Sequence, residues 1–262
     1  MKICLAALLL ASAIFPARAA LEIIAPDEPQ IIFSGTPAAA FLKIRNPAAE
    51  RAESEYSLRL VQLSSSTAMP VGEIQPWKKI EVLGGQTVLE TAPVTLPEVR
   101  AMTAFRLEIS SLGHVVARIP LLGYPPDTLS RMKDYTGEMG IGLQDPDGKL
   151  KPALAKAGIT ISDLELSDLG AGFQGRLAIV GPYAARKATD SEWKDLATKL
   201  AGRGVGVVVL LPLSITVPLP EMLRDGQVVI VRGVKWGDLE TSAAAQLLLL
   251  QAVELALPKP SP

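Results

Sequence analysis

The hydrophobic pattern changes period at Tyr124-Pro125-Pro126, and the change restricts what each side of it can fold into. Before it, apolar and polar residues alternate, as in a strand with one buried face. After it, short apolar runs alternate with stretches of helical spacing. The alternation is plainest in Tyr56-Ser57-Leu58-Arg59-Leu60-Val61-Gln62-Leu63 and in Phe105-Arg106-Leu107-Glu108-Ile109. Strands are expected at 30–33, 39–45, 55–63, 77–82, 87–94, 103–110 and 114–121. Turn chemistry separates them, in Ser34-Gly35-Thr36-Pro37, Asn46-Pro47, Gly84-Gly85 and Leu112-Gly113.

About seven short strands over roughly 100 residues predict an all-β, immunoglobulin-like sandwich across 20–124. The second half, 131–258, predicts an α/β domain. Apolar runs at 139–144, 159–166, 176–180, 205–211 and 227–231 read as strands. Helical stretches lie at 150–157, closed by Gly158, at 191–200 with Ser191 as N-cap, and at 241–257. Strands alternating with helices imply parallel crossover connections, with the helices on the sheet faces, a small Rossmann-like domain. Pro125-Pro126 favours an extended link, which places the boundary at 124–130. Gln246, Gln251 and Glu254 interrupt the final helix, which is too short for the ~20 apolar residues of a membrane span.

Residues 1–19 read as a signal peptide. Lys2 supplies the positive start, 5–15 is an apolar run, and Ala17-Arg18-Ala19 is a small-x-small cleavage site. The chain is then expected to be periplasmic or secreted, beginning at Ala20. Its single cysteine, Cys4, precedes the apolar run and leaves with it. The exported chain would carry no disulfide, no thiolate nucleophile and no cysteine-bound metal.

Composition narrows function chiefly by what is missing. Hydrophobic residues make up 48% and charged residues 20%, which suits a packed globular protein. A formal charge of −1 lacks the basic stripe of a nucleic-acid binder. A Ser-His-Asp or Cys-His site needs an imidazole to carry the proton, and His114, beside the Leu112-Gly113 turn, reads as an exposed turn residue. One histidine cannot build the usual zinc site, so no metal or cofactor is expected. Gly170-Ala171-Gly172-Phe173-Gln174-Gly175 spells G-x-G-x-x-G but precedes a strand, whereas a dinucleotide fingerprint follows one.

Asp145-Pro146-Asp147-Gly148 is the most suggestive polar group, placed where the first parallel strand ends. Open α/β sheets bind ligands at that edge. A D-x-D there resembles the first motif of haloacid-dehalogenase-type phosphatases, which implies Asp145 as nucleophile and Asp147 as acid/base in a metal-dependent enzyme. The hydroxyl or β-branched residue that follows in that family is absent, Lys149 and Leu150 standing instead. Asp and Gly are equally what a strand-to-helix turn prefers. With Tyr183, Arg186 and Ser214 on the neighbouring loops, Asp145 and Asp147 form the candidate ligand-binding set.

The second half also resembles class I glutamine amidotransferase-like domains, in the inactive form attached to secreted or glycoside-hydrolase-associated proteins. The resemblance rests on Asp145-Pro146, on Leu177-Ala178-Ile179-Val180-Gly181-Pro182, and on Trp193-Lys194-Asp195-Leu196 leading to Gly204-Val205-Gly206-Val207-Val208-Val209-Leu210. Active members continue into a Gly-x-Cys-x-Gly elbow. Here Leu211-Pro212-Leu213-Ser214 follows, with no later histidine. The resemblance therefore implies the fold without the glutaminase chemistry, in a pseudoenzyme that binds a protein or carbohydrate partner. Among residues able to stack on a partner, Trp77 and Trp236 lie beside polar or turn residues, whereas Trp193 shares a helical face with Leu196 and Leu200. The export reading has a direct test: N-terminal sequencing of the protein from its native cell should read Ala20 first, and an intact Met1 in the cytoplasmic fraction would contradict it.

Overall fold

The computed structural model describes residues 21–165, 171–181, 190–211 and 220–257. In the first half, β1 (Glu22–Ile24), β3 (Pro37–Arg45) and β6 (Thr87–Thr95) form an antiparallel sheet in that order. A second sheet runs β2 (Gln30–Phe33), β8 (His114–Tyr124), β7 (Thr103–Ser111), β4 (Ala52–Leu63), β5 (Ala68–Val82). It is antiparallel except that β2 runs parallel to β8. Alternation turns Leu42, Ile44 and Val94 of the smaller sheet against Leu58, Phe105 and Ile119 of the larger, in one shared core. The Asn46-Pro47 turn is held from inside. Buried Asn46 donates from Nδ2 to the carbonyls of Glu50 (2.7 Å) and Val82 (2.9 Å), and its Oδ1 accepts from Ala48 N (3.0 Å).

Two departures from the sequence pattern have physical causes. β1 adds an eighth strand, too short for alternation to be visible. β5 begins at Ala68 rather than 77, because Pro70, Gly72 and Pro76 read as breakers. β5 is the open edge of its sheet, where a proline forfeits a ladder bond only on its paired side. Register shifts against β4 absorb the remaining irregularity.

The second half opens with a 3₁₀ turn, Thr128–Arg131, and α1 (Met132–Thr136), where only a link was expected. β9 (Ile141–Gln144), α2 (Lys151–Lys156), β10 (Ile161–Asp163), β11 (Leu177–Val180), α3 (Asp190–Gly202), β12 (Gly206–Leu210), β13 (Glu221–Asp225), β14 (Val228–Arg232) and α4 (Ala243–Ala256) follow. The sheet order is β10-β9-β11-β12-β14-β13. It is parallel except for β13, which pairs antiparallel with β14, so the expected parallel sheet is a mixed one. Glu221-Met222-Leu223-Arg224-Asp225 has too few buried residues to betray an edge strand, and the turn at Gly226 (φ 58°) folds it onto β14. The strand expected at 159–166 shortens to β10. α3 begins at Asp190, so Ser191 lies within it instead of capping it, while Ser242 does cap α4, accepting from Ala245 N at 3.2 Å.

β11 and β12 are buried along their whole length, which requires cover on both faces. Leu150 and Leu154 of the α2 region and Leu249 and Val253 of α4 cover Ile141, Leu143, Ile179 and Val208. Trp193, Leu196 and Leu200 of α3 cover Ala178, Val180, Val207 and Val209. Gly206 permits the close approach of α4, since a Cβ there would stand 2.7 Å from the Ala256 carbonyl oxygen.

Among the described residues no sheet takes strands from both halves. α4 joins them, packing on β12 and β14 and also touching β2. Gln246, 4% exposed, accepts from Leu129 N at 3.1 Å and donates to the Leu239 carbonyl at 3.0 Å, tying the linker turn to α4. Gln246→Leu should lower unfolding free energy by about 2–4 kcal/mol, because it leaves a buried N–H and a buried C=O unpaired. Urea denaturation monitored by tryptophan fluorescence measures this, and an unchanged midpoint would reject the pinning role.

Candidate functional site

The carboxyl edge of the second sheet acquires a crevice from its connectivity. β9 leads into α2, on the face of Ile141 and Leu143, whereas α3, which follows β11, lies on the opposite face with Ala178 and Val180. β9 and β11 are neighbours, so the chain leaves adjacent parallel strands toward opposite sides. Gly181 (φ 104°) turns the chain out of β11 while its N–H donates to the Gln144 carbonyl at 2.9 Å.

Asp145 stands at this edge, and its carboxylate is already engaged. Oδ1 accepts from Lys149 N (3.1 Å), and Oδ2 accepts from Leu150 N (2.8 Å) and Lys151 N (2.9 Å). These are N–H groups entering α2 that have no intrahelical partner, and a negative charge suits that helix end. Asp147 is less involved: it is partly buried, with Oδ2 3.8 Å from Nζ of the more exposed Lys149. Tyr183, Arg186 and Ser214 lie outside the described residues. Two of the five candidate residues are thus placed, two residues apart along one turn and with different partners. Among the described residues no group of three His, Cys, Asp or Glu side chains is arranged to hold a metal ion.

The remaining candidates resolve by burial. His114 is exposed at the start of β8. Trp193 is buried with Leu196 and Leu200, as their helical spacing predicts. Trp236, one of the two tryptophans set beside polar or turn residues as candidates to stack on a partner, is buried, and its Nε1 donates to the Leu211 carbonyl at 3.2 Å. Its turn-like neighbours Lys235 and Gly237 mislead because a 3₁₀ turn at Trp236–Asp238 swings the ring inward. Trp77 is half-buried, 6.2 Å from the Tyr56 ring, with Lys78 Nζ over its face at 5.2 Å.

Sequence reading missed two features. Gln144 ends β9 only 8% exposed, and its Oε1 has no hydrogen-bond partner among the described residues. The visible signal was a polar residue closing an apolar run. A cleft of about 720 Å³ also lies between the halves, lined by Phe33, Pro37, Leu129, Ala153 and Lys156 among others. A smaller one of about 480 Å³ adjoins it, sharing Thr36, Pro126 and Asp127 and bordered by Glu98 and Arg100. No local motif marks either, since each depends on how distant segments meet.

No protein-family model matches the chain, and no curated protein matches it significantly. Among solved structures, a β-glucosidase from Listeria innocua in complex with glucose aligns at 16% identity and TM-score 0.31, covering 40% of this chain and 16% of that one. The alkylpurine DNA glycosylase AlkC of Pseudomonas fluorescens, bound to DNA containing an abasic site analog, aligns at 10% identity and TM-score 0.31 over 41% and 31%. A GH3 β-glucosidase from Bifidobacterium adolescentis gives 12% and 0.28 over 40% and 17%. The chain therefore spans less than a third of each of these structures, and likeness at this level carries nothing about fold or activity.

The two aspartates should separate in a stability measurement. Asp145→Ala removes a helix cap and should cost about 1–2 kcal/mol. Asp147→Ala should change stability by less than about 0.5 kcal/mol, since its one recorded ion pair is long, at 3.8 Å, and its lysine is half exposed. Thermal or urea unfolding of the two variants checks the ranking, and equal losses would refute the capping role.

Proposed function

We propose that the protein is an exported, non-catalytic binding or scaffold protein that recognises a protein or carbohydrate partner. In this reading an immunoglobulin-like sandwich carries an amidotransferase-like domain that has lost its chemistry. The arrangement of the first half supports the sandwich assignment: the initial strand is split, β1 pairing in one sheet and β2 running parallel to the last strand of the other. The order β10-β9-β11-β12-β14-β13, with helices on both faces, supports a doubly wound second domain. The leader at 1–19 supports export to the periplasm or beyond.

One observation carries the preference for binding over catalysis. The rival phosphatase reading requires the Asp145 carboxylate as a free nucleophile, and three backbone N–H groups occupy it. Attack through either oxygen would strip the start of α2 of its cap. A binding role asks no such rearrangement, and the clefts between the halves offer concave surface. The experiment is a phosphatase assay with p-nitrophenyl phosphate and Mg²⁺ on the full chain, Asp145→Asn and Asp147→Asn. No metal-dependent turnover is expected from any of the three. Turnover by the wild type that both substitutions abolish would overturn the binding reading.

A further inference from the structure

Alternation sorts the three-stranded sheet into two faces. Even positions of β3 and β6 enter the shared core, while Phe41, Lys43 and Arg45 of β3 and Leu89 of β6 point outward with Ile24 of β1. Nothing among the described residues covers that outer face: Ile24 is 43% exposed, Phe41 63% and Leu89 76%. Register makes these three one patch. Ile24 and Leu89 stand on either side of Lys43, and Phe41, two residues along β3, lies diagonally beside both. Neither Lys43 nor Arg45 has an ion-pair partner among the described residues, and Glu22, opposite Arg45, is the one acid this face carries. The edges of the sheet are partly taken. Where β1 ends, the Gln30 amide occupies both backbone groups of Phe41, donating to its carbonyl at 2.8 Å and accepting from its N–H at 2.7 Å. On the far side Glu90 of β6 is bound to Lys78 of β5. The clefts between the halves reach the sheet only at Pro37. The face is what remains open.

We propose that this face docks the protein on a bilayer bearing anionic headgroups. Ile24, Phe41 and Leu89 would enter the boundary between headgroups and acyl chains, and Lys43 and Arg45 would meet the headgroup phosphates. The proposal goes beyond the binding reading above and stands without it. Shape and charge together select the occupant. Peptides are held in grooves, along strand edges or between aromatic walls, and this face is a three-strand surface with no cleft across it. A second copy, turned about a twofold axis through the patch, would set Lys43 against its own equivalent, like charge on like. A bilayer is itself flat, takes apolar side chains at its interface, and draws basic ones when its headgroups are anionic.

The test is co-sedimentation of the exported chain, from Ala20, with vesicles of phosphatidylcholine alone or in equal parts with phosphatidylglycerol. Starting at Ala20 keeps the apolar leader's own affinity for lipid out of the measurement. The chain should sediment with the anionic vesicles, bind the neutral ones about ten-fold more weakly, and lose affinity as salt rises. Phe41→Thr combined with Leu89→Thr should weaken binding about ten-fold or more, and Lys43→Ser about five-fold. Threonine suits a strand and both positions are exposed, so the Tm without vesicles should not change. No binding to anionic vesicles would overturn the proposal, as would equal binding to neutral ones or binding that the double substitution leaves intact. So would a lower Tm in the double variant, which would show Phe41 and Leu89 packed within the folded chain. A concentration-dependent dimer that the double substitution dissociates would overturn it as well, by giving the face to a second copy.

Discussion

Strands β11 and β12 expose nothing on either face, and that burial governs the rest of the second half. A parallel strand covered on one side only would leave Val207 and Val209, or Ile179 and Val208, in water, at about 1.5–3 kcal/mol for each side chain. α3 meets the demand on one face and α4 on the other. α4 then has a second duty, because it also meets β2 and holds the linker turn through Gln246. The element that completes the parallel core is therefore also one that packs against the first half, and loss of α4 packing would disturb both together.

The sequence makes legible whatever is periodic and buried. β4 and β7 alternate cleanly because one face meets a core, and Val207-Val208-Val209 announces a strand covered on both sides. What escaped lies at edges. β5 carries Pro70 and Pro76, which argue against a central strand, yet an edge tolerates them. β13 is nearly all exposed and owes its existence to pairing with β14, a tertiary cause that leaves no pattern in its own residues. Trp236 shows the same limit at a single residue, since its burial comes from a 3₁₀ turn and the Leu211 carbonyl far along the chain.

The candidate site was legible as a place more than as a chemistry. Asp145 lies at the strand end where the order of elements put it, but a short Asp-Pro-Asp-Gly stretch reads alike as a catalytic pair and as a turn. Only the three N–H groups arriving at its carboxylate distinguish these, and they come from residues whose helical start the sequence placed one position too early. Spacing identifies which groups can meet. It does not say whether a carboxylate still has lone pairs to offer.

The two buried glutamines of the second half make that distinction general. Gln246 satisfies both ends of its amide within the fold, and its position is explained by what it holds: a linker N–H and a carbonyl before α4. Gln144 is buried almost as deeply, in a row where β11, β12 and β14 carry valine or isoleucine, and its oxygen holds nothing among the described residues. Leaving that oxygen unpaired costs on the order of 1–3 kcal/mol, which an aliphatic residue would avoid. Folding alone therefore accounts for Gln246 and does not account for Gln144. The same residue type, at the same depth, is thus fully used at one position and half used at the other.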